Sequence, residues 1–294
     1  MHPLDDADLR AIAAAADYLE NPKFLMRVAE FVGKPAEALL QRLPARAQAA
    51  VSKATDAAMH KALDLAISTL DFEQSSSPSA HSAGAALLGA ASGFFGLPGL
   101  AIELPLSTAV MLRSIAAIAK QQGADLSDPA VRLECLTVLA LGGQMPTPID
   151  AVIVDGARDP ALAESAYWSA RLGLMVALRE AALHVGKGTA KVTATELMHG
   201  AAPVVAKLLA KIAARFEIVV SEKAVAQSVP VIGAAAGAAL NGAFAEHFNA
   251  VALHHFGLRR LERQSGEAAV RHAYAAAVQQ RPQTPPKVAG RFKI

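Results

Sequence analysis

The carboxylate of Glu103 is the most conspicuous candidate for chemistry in this sequence. It stands between two apolar runs, and no Asp, Glu, Lys or Arg occurs in the 29 residues from Gln74 to Ile102. A carboxyl group buried among apolar side chains has a raised pKa and can act as a general acid or base. The alternative is structural. If a helix begins near Pro98 or Pro105, Glu103 lies at its N-terminus, where a negative charge gains about 0.3–1 kcal/mol.

Three further residues could assist Glu103 in catalysis. Asp150 and Asp155 flank a short apolar run after Gly142-Gly143, and with Glu103 they would form an acidic cluster if their loops meet. His247 is the candidate base on a different segment of the chain. The sequence therefore allows a hydrolase with the candidate catalytic residues Glu103, His247, Asp150 and Asp155. It also allows these acids to be helix caps and loop residues, and we prefer that second interpretation.

Motifs for metals, cofactors and nucleophiles are missing from the sequence. Glu196 and His199 have the Glu-x-x-His spacing of di-iron bundles, but that site needs a second such pair. No Gly-x-Ser-x-Gly elbow and no phosphate-binding P-loop occurs. The single cysteine, Cys135, excludes an intramolecular disulfide framework, and its apolar neighbours predict an inert core residue. We therefore predict no metal and no cofactor.

Charge and composition also limit the possible partners. The formal net charge is +2, and charged residues make up only 18% of the chain, so nothing indicates nucleic-acid binding. The N-terminal segment is acidic and lacks an apolar run, which is not the pattern of a secretory signal. A cytoplasmic location is the resulting expectation. No feature identifies a small-molecule ligand.

The elements that must position these residues are predicted to be helices throughout. No segment has a sustained strand alternation, whereas Asp128-Pro129 is a typical helix start and Gly123 is placed where a helix would end. An amphipathic helix is predicted over roughly residues 44–70. His254 and His255, close to Arg259 and Arg260, are expected on a solvated helix face. The predicted fold class is an all-α, multi-helix bundle.

Composition shifts divide the chain into four parts. Residues 1–72 are predicted to form an N-terminal helical extension, and residues 73–82 form a polar, Ser-rich linker. Residues 83–280 form the main helical domain. Residues 281–294 are rich in Pro, Lys and Arg, and we expect them to be a disordered tail.

Two uncharged segments contain glycines spaced for close helix packing. Gly89 and Gly93 lie in the first, Gly233 and Gly237 in the second, and Asn241 follows one turn after Gly237. Glycines four apart lie on one helix face and let another backbone approach closely. Both segments reach the roughly 20 residues that span a bilayer. The sequence Gly-Leu-Pro-Gly at residues 96–99 predicts a turn, however, so we favour a glycine-rich hairpin buried in the core over a membrane contact or a span.

The first segment resembles the EcsC family. The pattern Gly-x-x-x-Gly-Phe-Phe-Gly-Leu-Pro-Gly runs from residue 89 to residue 99 and is followed by Glu103-Leu104-Pro105, where the family usually has Asp in place of Glu. A second block similar to the family runs from Pro230 to Asn241 and continues into a helix with Phe248 and Arg259. The resemblance covers about residues 83–265. It implies a bacterial protein associated with a transporter operon linked to secretion, and it carries over no catalytic residues.

These observations favour a non-catalytic accessory protein. It would associate with the cytoplasmic membrane face, peripherally, or with a membrane transport or secretion complex. The motivation is the pair of apolar segments together with the transporter association that the resemblance implies. Two alternatives remain: a hydrolase with an acidic site around Glu103, and a cytosolic helical scaffold without lipid contact.

Overall fold

The protein is all-α, as the sequence predicts. The computed structural model describes residues 2–20, 45–67, 96–143, 165–187, 203–227 and 234–280. Within these residues there are eight helices and no strands. In chain order the helices are α1 (Asp6–Glu20), α2 (Ala45–Ile67), α3 (Gly96–Gln121), α4 (Pro129–Leu141), α5 (Ala166–Lys187), α6 (Pro203–Gln227), α7 (Ala234–Ser265) and α8 (Glu267–Gln279).

Helix α4 lies at the centre of the bundle. It packs against α2, α3, α5, α6 and α7, and all ten of its residues from Arg132 to Leu141 are buried. A helix buried on every side needs an apolar sequence, and Leu, Val, Ala and Cys supply it here. Cys135 is buried in this helix, and burial raises the pKa of its thiol. The prediction of a core cysteine is therefore confirmed.

Local signals set the ends of α3 and α4 where the sequence predicts them. Asp128 caps α4: its carboxylate accepts a hydrogen bond from the Ala130 N–H at 2.8 Å, and Pro129 fills the first helical position. Gly123 follows the end of α3 with a φ of 74°, a left-handed conformation that glycine adopts without strain. The two helices joined by this short connection also pack against each other.

Polar side chains, one buried and one half-buried, connect the N-terminal helices to the rest of the bundle. Arg132 of α4 donates through Nε to the Ala66 carbonyl, at the C-terminal end of α2, at 2.8 Å. Glu20, the last residue of α1, accepts from the Ser165 hydroxyl at 2.6 Å and from the Ala166 N–H at 3.0 Å. Glu20 therefore caps α5 from a distant part of the chain, since it binds an N–H that has no partner within that helix.

One continuous core includes residues of α1 and α2 as well as those of the later helices. The predicted linker at 73–82 and the tail at 281–294 lie outside the described residues, so the proposed boundaries stay predictions. The predicted amphipathic helix at 44–70 is present as α2.

The predicted turn at residues 96–99 is wrong. These residues form the first turn of α3, because Pro98 is tolerated near a helix N-terminus, where its missing N–H leaves no intrahelical bond unmade. Gly89, Gly93 and Gly233 lie outside the described residues, while Gly237 lies in the backbone of α7. The glycine-rich hairpin and its close packing therefore stay predictions.

Candidate functional site

Glu103 forms a buried ion pair with Lys223. Lys223 Nζ, on α6, donates to Glu103 Oε1, on α3, and the Lys223 and Glu103 side chains are 0% and 1% exposed, respectively. The ammonium group also lies 4.7 Å from the centre of the Phe244 ring on α7. Burial lowers the pKa of Lys223, and the neighbouring carboxylate of Glu103 opposes that effect. The pair thus joins three helices in the core.

The position of Glu103 differs from the structural interpretation made from the sequence. It lies about two turns inside α3, which begins at Gly96, and not at the helix N-terminus. The helix dipole falls off within the first turn, so the charge of Glu103 is balanced by Lys223 instead. The sequence signal misled because a proline inside the helix, Pro105, looked like a helix start.

His247 is held by contacts on both ring nitrogens. Its Nε2 lies 2.6 Å from the Gly142 carbonyl oxygen, and its Nδ1 lies 3.1 Å from the Tyr18 hydroxyl. A carbonyl can only accept, so Nε2–H donates to Gly142, and in the neutral ring Nδ1 accepts from Tyr18. These partners are not those of Glu103. Asp150 and Asp155 lie outside the described residues, and the predicted acidic cluster stays a prediction.

Asn241 is buried on α7, one turn after Gly237. Farther along the same helix, His247 and Phe248 pack closely against Gly142. A Cβ added at Gly142 would lie 2.4 Å from one Phe248 ring carbon and 3.1 Å from His247 Nε2. The glycine thus permits the approach of two helices at this point.

A network of buried charges that the sequence analysis missed connects α4, α5 and α7. Arg171 of α5 binds Glu262 of α7 through two parallel hydrogen bonds of 2.5 and 2.7 Å. Arg259 lies between two acids: its Nη1 donates to Glu262 at 2.9 Å, and its Nε lies 2.8 Å from Glu134 Oε1 on α4. Two guanidinium groups and two carboxylates therefore balance each other, and three of the four are buried while the Arg259 side chain is 29% exposed.

His255 extends this network to a group of aromatic side chains. Its Nε2 is 3.1 Å from Glu134 Oε1, and its Nδ1 is 2.9 Å from the Tyr167 hydroxyl. Burial lowers the pKa of His255, which favours a neutral ring that donates to Glu134 and accepts from Tyr167. Tyr167, Trp168 and Tyr274 form a cluster with ring centroids 5.5 to 5.9 Å apart.

The expectation of a solvated face at His254 to Arg260 is wrong for His255, which is completely buried. Burial opposes ionisation of Glu134, but the hydrogen bond from His255 and the positive charges of Arg259 and Arg171 outweigh it. They lower the pKa of Glu134 to about 2. The available signal was spacing: His255, Arg259 and Glu262 recur at intervals of four and three residues, which places them on one face of α7.

A cavity of about 200 Å³ adjoins the network between α4 and α5. Trp168, Arg171, Arg259 and Glu134 form one part of its wall. The other lining residues are Asp128, Ala130, Val131, Leu172, Met175, Leu178, Arg179 and Glu267. The indole Nε1–H of Trp168 is buried and has no hydrogen-bond partner among the residues that the structure describes. This cavity is therefore lined by both apolar groups and hydrogen-bond donors.

The comparison with protein families agrees with this helical architecture. The model of the EcsC protein family matches residues 6–261. The chain belongs to the EcsC family. The match begins in α1, so the similarity of this EcsC-family protein to its relatives extends well before the motifs at 89–105. No curated protein and no solved structure matches the chain.

Two properties of the described residues bear on the function of this EcsC-family protein. They contain no group of three or more His, Cys, Asp or Glu side chains that could hold a metal ion. They contain one helical segment, Gly99–Gln121, that is long and apolar enough to cross a membrane, and 67% of its most apolar window is buried inside the protein. A mostly buried helix of this kind is common in soluble cores, so its length and composition alone indicate little.

Proposed function

We propose that this EcsC-family protein is a non-catalytic accessory protein that binds the cytoplasmic face of the membrane peripherally. The contact would be made by the exposed apolar side chains near the beginning of α3. Binding of this kind needs exposed apolar side chains. It also needs a contact surface without charged side chains that would have to be desolvated.

The observation that carries the proposal is a pair of exposed apolar side chains in a part of the chain whose sequence is almost free of charged residues. From Gln74 to Leu112 the sequence has a single charged residue, Glu103, and its side chain is turned into the core against Lys223. On the outer face of α3, Ile102 is 73% exposed and Leu106, one turn later, is 45% exposed. Exposed apolar side chains adjoining a long uncharged segment form a surface that a lipid interface would cover.

Burial of the rest of α3 favours a peripheral contact over a span. Its inner face packs against α2 and α7, and Leu104, Leu112 and Ile115 are buried there. A transmembrane helix would have to leave these partners. A helix that keeps its inner face on the protein can still place Ile102 and Leu106 in the interface, about 5–10 Å deep.

Vesicle binding tests the proposal. The full chain is mixed with vesicles of phosphatidylcholine, alone or with an equal part of phosphatidylglycerol, and the bound fraction is measured by cosedimentation. Replacing Ile102 and Leu106 by Gln should lower the partition coefficient at least tenfold, because losing one buried aliphatic side chain costs about 1.5–3 kcal/mol. The matched control replaces Leu183 and Leu253, which are 65% and 48% exposed on other helices.

The alternatives predict different outcomes. A cytosolic scaffold would bind neither vesicle type, and a protein that binds a membrane complex would bind native membranes but not protein-free vesicles. Either result would overturn the lipid proposal. The hydrolase centred on Glu103 stays a prediction, but the contacts described for Glu103 and His247 favour structural roles, since each is held by protein groups in the core.

A further inference from the structure

The cavity beside Trp168 is large enough for a small organic molecule. Its volume of about 200 Å³ exceeds the roughly 150 Å³ of an engineered cavity that binds benzene, and it is below the range of sites for drug-sized ligands. The space therefore suits a single ring or short chain with one polar substituent. Glu103 and the apolar face of α3 are not part of its lining.

The wall formed by α5 has an apolar part and a hydrogen-bonding part. Leu172, Met175 and Leu178 line the cavity at helical spacing, and Trp168 and Arg171 line it one turn earlier. The Arg171 guanidinium lies 4.5 Å from the centre of the Trp168 ring, which holds both side chains in place. A bound molecule would have its apolar body on one side and its polar group on the other.

The polar part of the cavity has more donors than acceptors. Each guanidinium carries five N–H groups, and the hydrogen bonds to Glu262 use two of them on Arg171 and one on Arg259. The carboxylates already receive these contacts. The indole N–H of Trp168, a donor with no partner among the described residues, adds to the surplus. The missing group is an acceptor.

The charges around the cavity disfavour an ionic ligand. Among the described residues, three arginines and three carboxylates line it, and Glu262, bound to Arg171, adds one further negative charge: the lining groups are Arg171, Arg179, Arg259, Asp128, Glu134 and Glu267. An anion would bring an unbalanced charge into a site whose arginines are already neutralised. A cation would meet the donor groups of Trp168 and Arg171. Burying an unpaired charge of either sign is costly.

We propose that this cavity binds a small uncharged molecule with a carbonyl oxygen, such as an amide or a ketone, attached to an apolar body. The oxygen accepts the hydrogen bond of the Trp168 indole N–H, and the apolar body packs against Met175 and Leu178. A bound carbonyl oxygen thus gives the buried Trp168 indole N–H the hydrogen-bond partner that the described residues do not supply.

Trp168 is the only tryptophan in the chain, so its fluorescence reports directly on the cavity. Three probes have a similar shape and about nine non-hydrogen atoms but differ in charge: benzamide, benzoate and benzylammonium. Comparing their affinities distinguishes the effect of ligand charge from that of ligand shape. Benzamide should change the Trp168 emission saturably, with a Kd of about 0.1–1 mM for a ligand of this size. Benzoate and benzylammonium should bind at least tenfold more weakly.

Two variants locate the binding. Ala130→Leu extends a half-buried lining residue into the cavity and should abolish the benzamide response, whereas Ala213→Leu, a half-buried alanine on α6 outside the lining, should leave it unchanged. Met175→Phe fills the cavity from α5. This variant replaces Ala130→Leu in the test if thermal unfolding shows that Ala130→Leu does not fold. Trp168→Phe removes the donor, and calorimetry should then give two- to tenfold weaker binding.

Several results would overturn the proposal. These are no saturable response to benzamide, equal or tighter binding of benzoate or benzylammonium, or a response that persists in folded Ala130→Leu and Met175→Phe. Binding that Trp168→Phe leaves unchanged would show that the indole N–H is not the group recognised.

Discussion

Arg171 and Glu262 face each other through two parallel hydrogen bonds, although 91 residues separate them in the chain. This bidentate pair joins α5 to α7, and Arg259 joins it to Glu134 on the central helix. The four charges balance one another. Such an arrangement is stable only while each charge keeps its partner, because an isolated charge in a low-dielectric core is costly.

Removal of Arg171 should be strongly destabilising. In Arg171→Met, Glu262 keeps Arg259 as its partner but loses both bonds to α5, and we expect the free energy of unfolding in urea to fall by about 3 kcal/mol. Arg179→Met, an exposed arginine on the same helix, should change it by no more than about 0.5 kcal/mol. The double variant Arg171→Met/Glu262→Leu keeps the Arg259–Glu134 pair. Its loss of unfolding free energy should be smaller than the sum of the losses in the two single variants. Additive losses would contradict the coupling.

Acid should destabilise the protein in two pH ranges. Burial lowers the pKa of His255 from its ordinary 6.5, so the unfolded chain takes up a proton first and stability falls as the pH drops below 6.5. Glu134 has an ordinary value of 4.5 and a folded pKa of about 2, so its contribution is present above pH 4.5 and is lost as the pH falls to about 2. That contribution is about 3 kcal/mol.

Urea denaturation at a series of pH values measures both effects. His255→Gln should reduce the loss that begins below pH 6.5, and the remainder is expected from His254, whose pKa is also lowered by burial. Glu134→Gln should reduce the slope of the unfolding free energy against pH between pH 4.5 and 2 by the equivalent of about one proton. The two variants are less stable at neutral pH because each leaves a network partner unpaired. An unchanged slope in Glu134→Gln would show that this carboxylate does not carry the acid sensitivity.

Gly142 should tolerate no side chain. In Gly142→Ala the new Cβ would lie 2.4 Å from a Phe248 ring carbon, so the ring must move within a packed core. We therefore expect the free energy of unfolding to fall by about 1–3 kcal/mol. Gly242→Ala and Gly257→Ala on α7 are the matched controls, because nothing lies within 4 Å of a Cβ at either position. These two should gain about 0.5–1 kcal/mol from the higher helix propensity of alanine. A neutral Gly142→Ala would refute the close contact.

The Glu103–Lys223 pair separates the structural and catalytic interpretations of Glu103. Glu103→Gln leaves the Lys223 ammonium buried without its counter-charge, so we expect a loss of about 3–5 kcal/mol in urea denaturation. The double variant Glu103→Gln/Lys223→Met removes both charges and should be more stable than either single variant. It should also bind vesicles as the unaltered protein does. Unaltered stability of Glu103→Gln would instead favour the hydrolase, since the carboxylate would then serve no structural purpose.

Local signals in the sequence predict the helices and several of their ends. Asp128-Pro129 starts α4 and Gly123 ends α3, because capping and backbone conformation depend on residues close together in the chain. The apolar run around Cys135 predicts its burial for the same reason. Pro98 and Pro105 were misleading, because helical context tolerates a proline that would otherwise suggest a break.

The sequence by itself determined the all-α class, the absence of charge before Glu103 and the EcsC motifs. Only the tertiary structure decided the partners of Glu103, His247 and Arg259, and it alone revealed the cavity beside Trp168. The physical reason is the sequence distance over which each kind of interaction acts. Helix formation follows from periodicity and capping within a few residues, whereas an ion pair such as Arg171–Glu262 depends on how separate helices pack against one another.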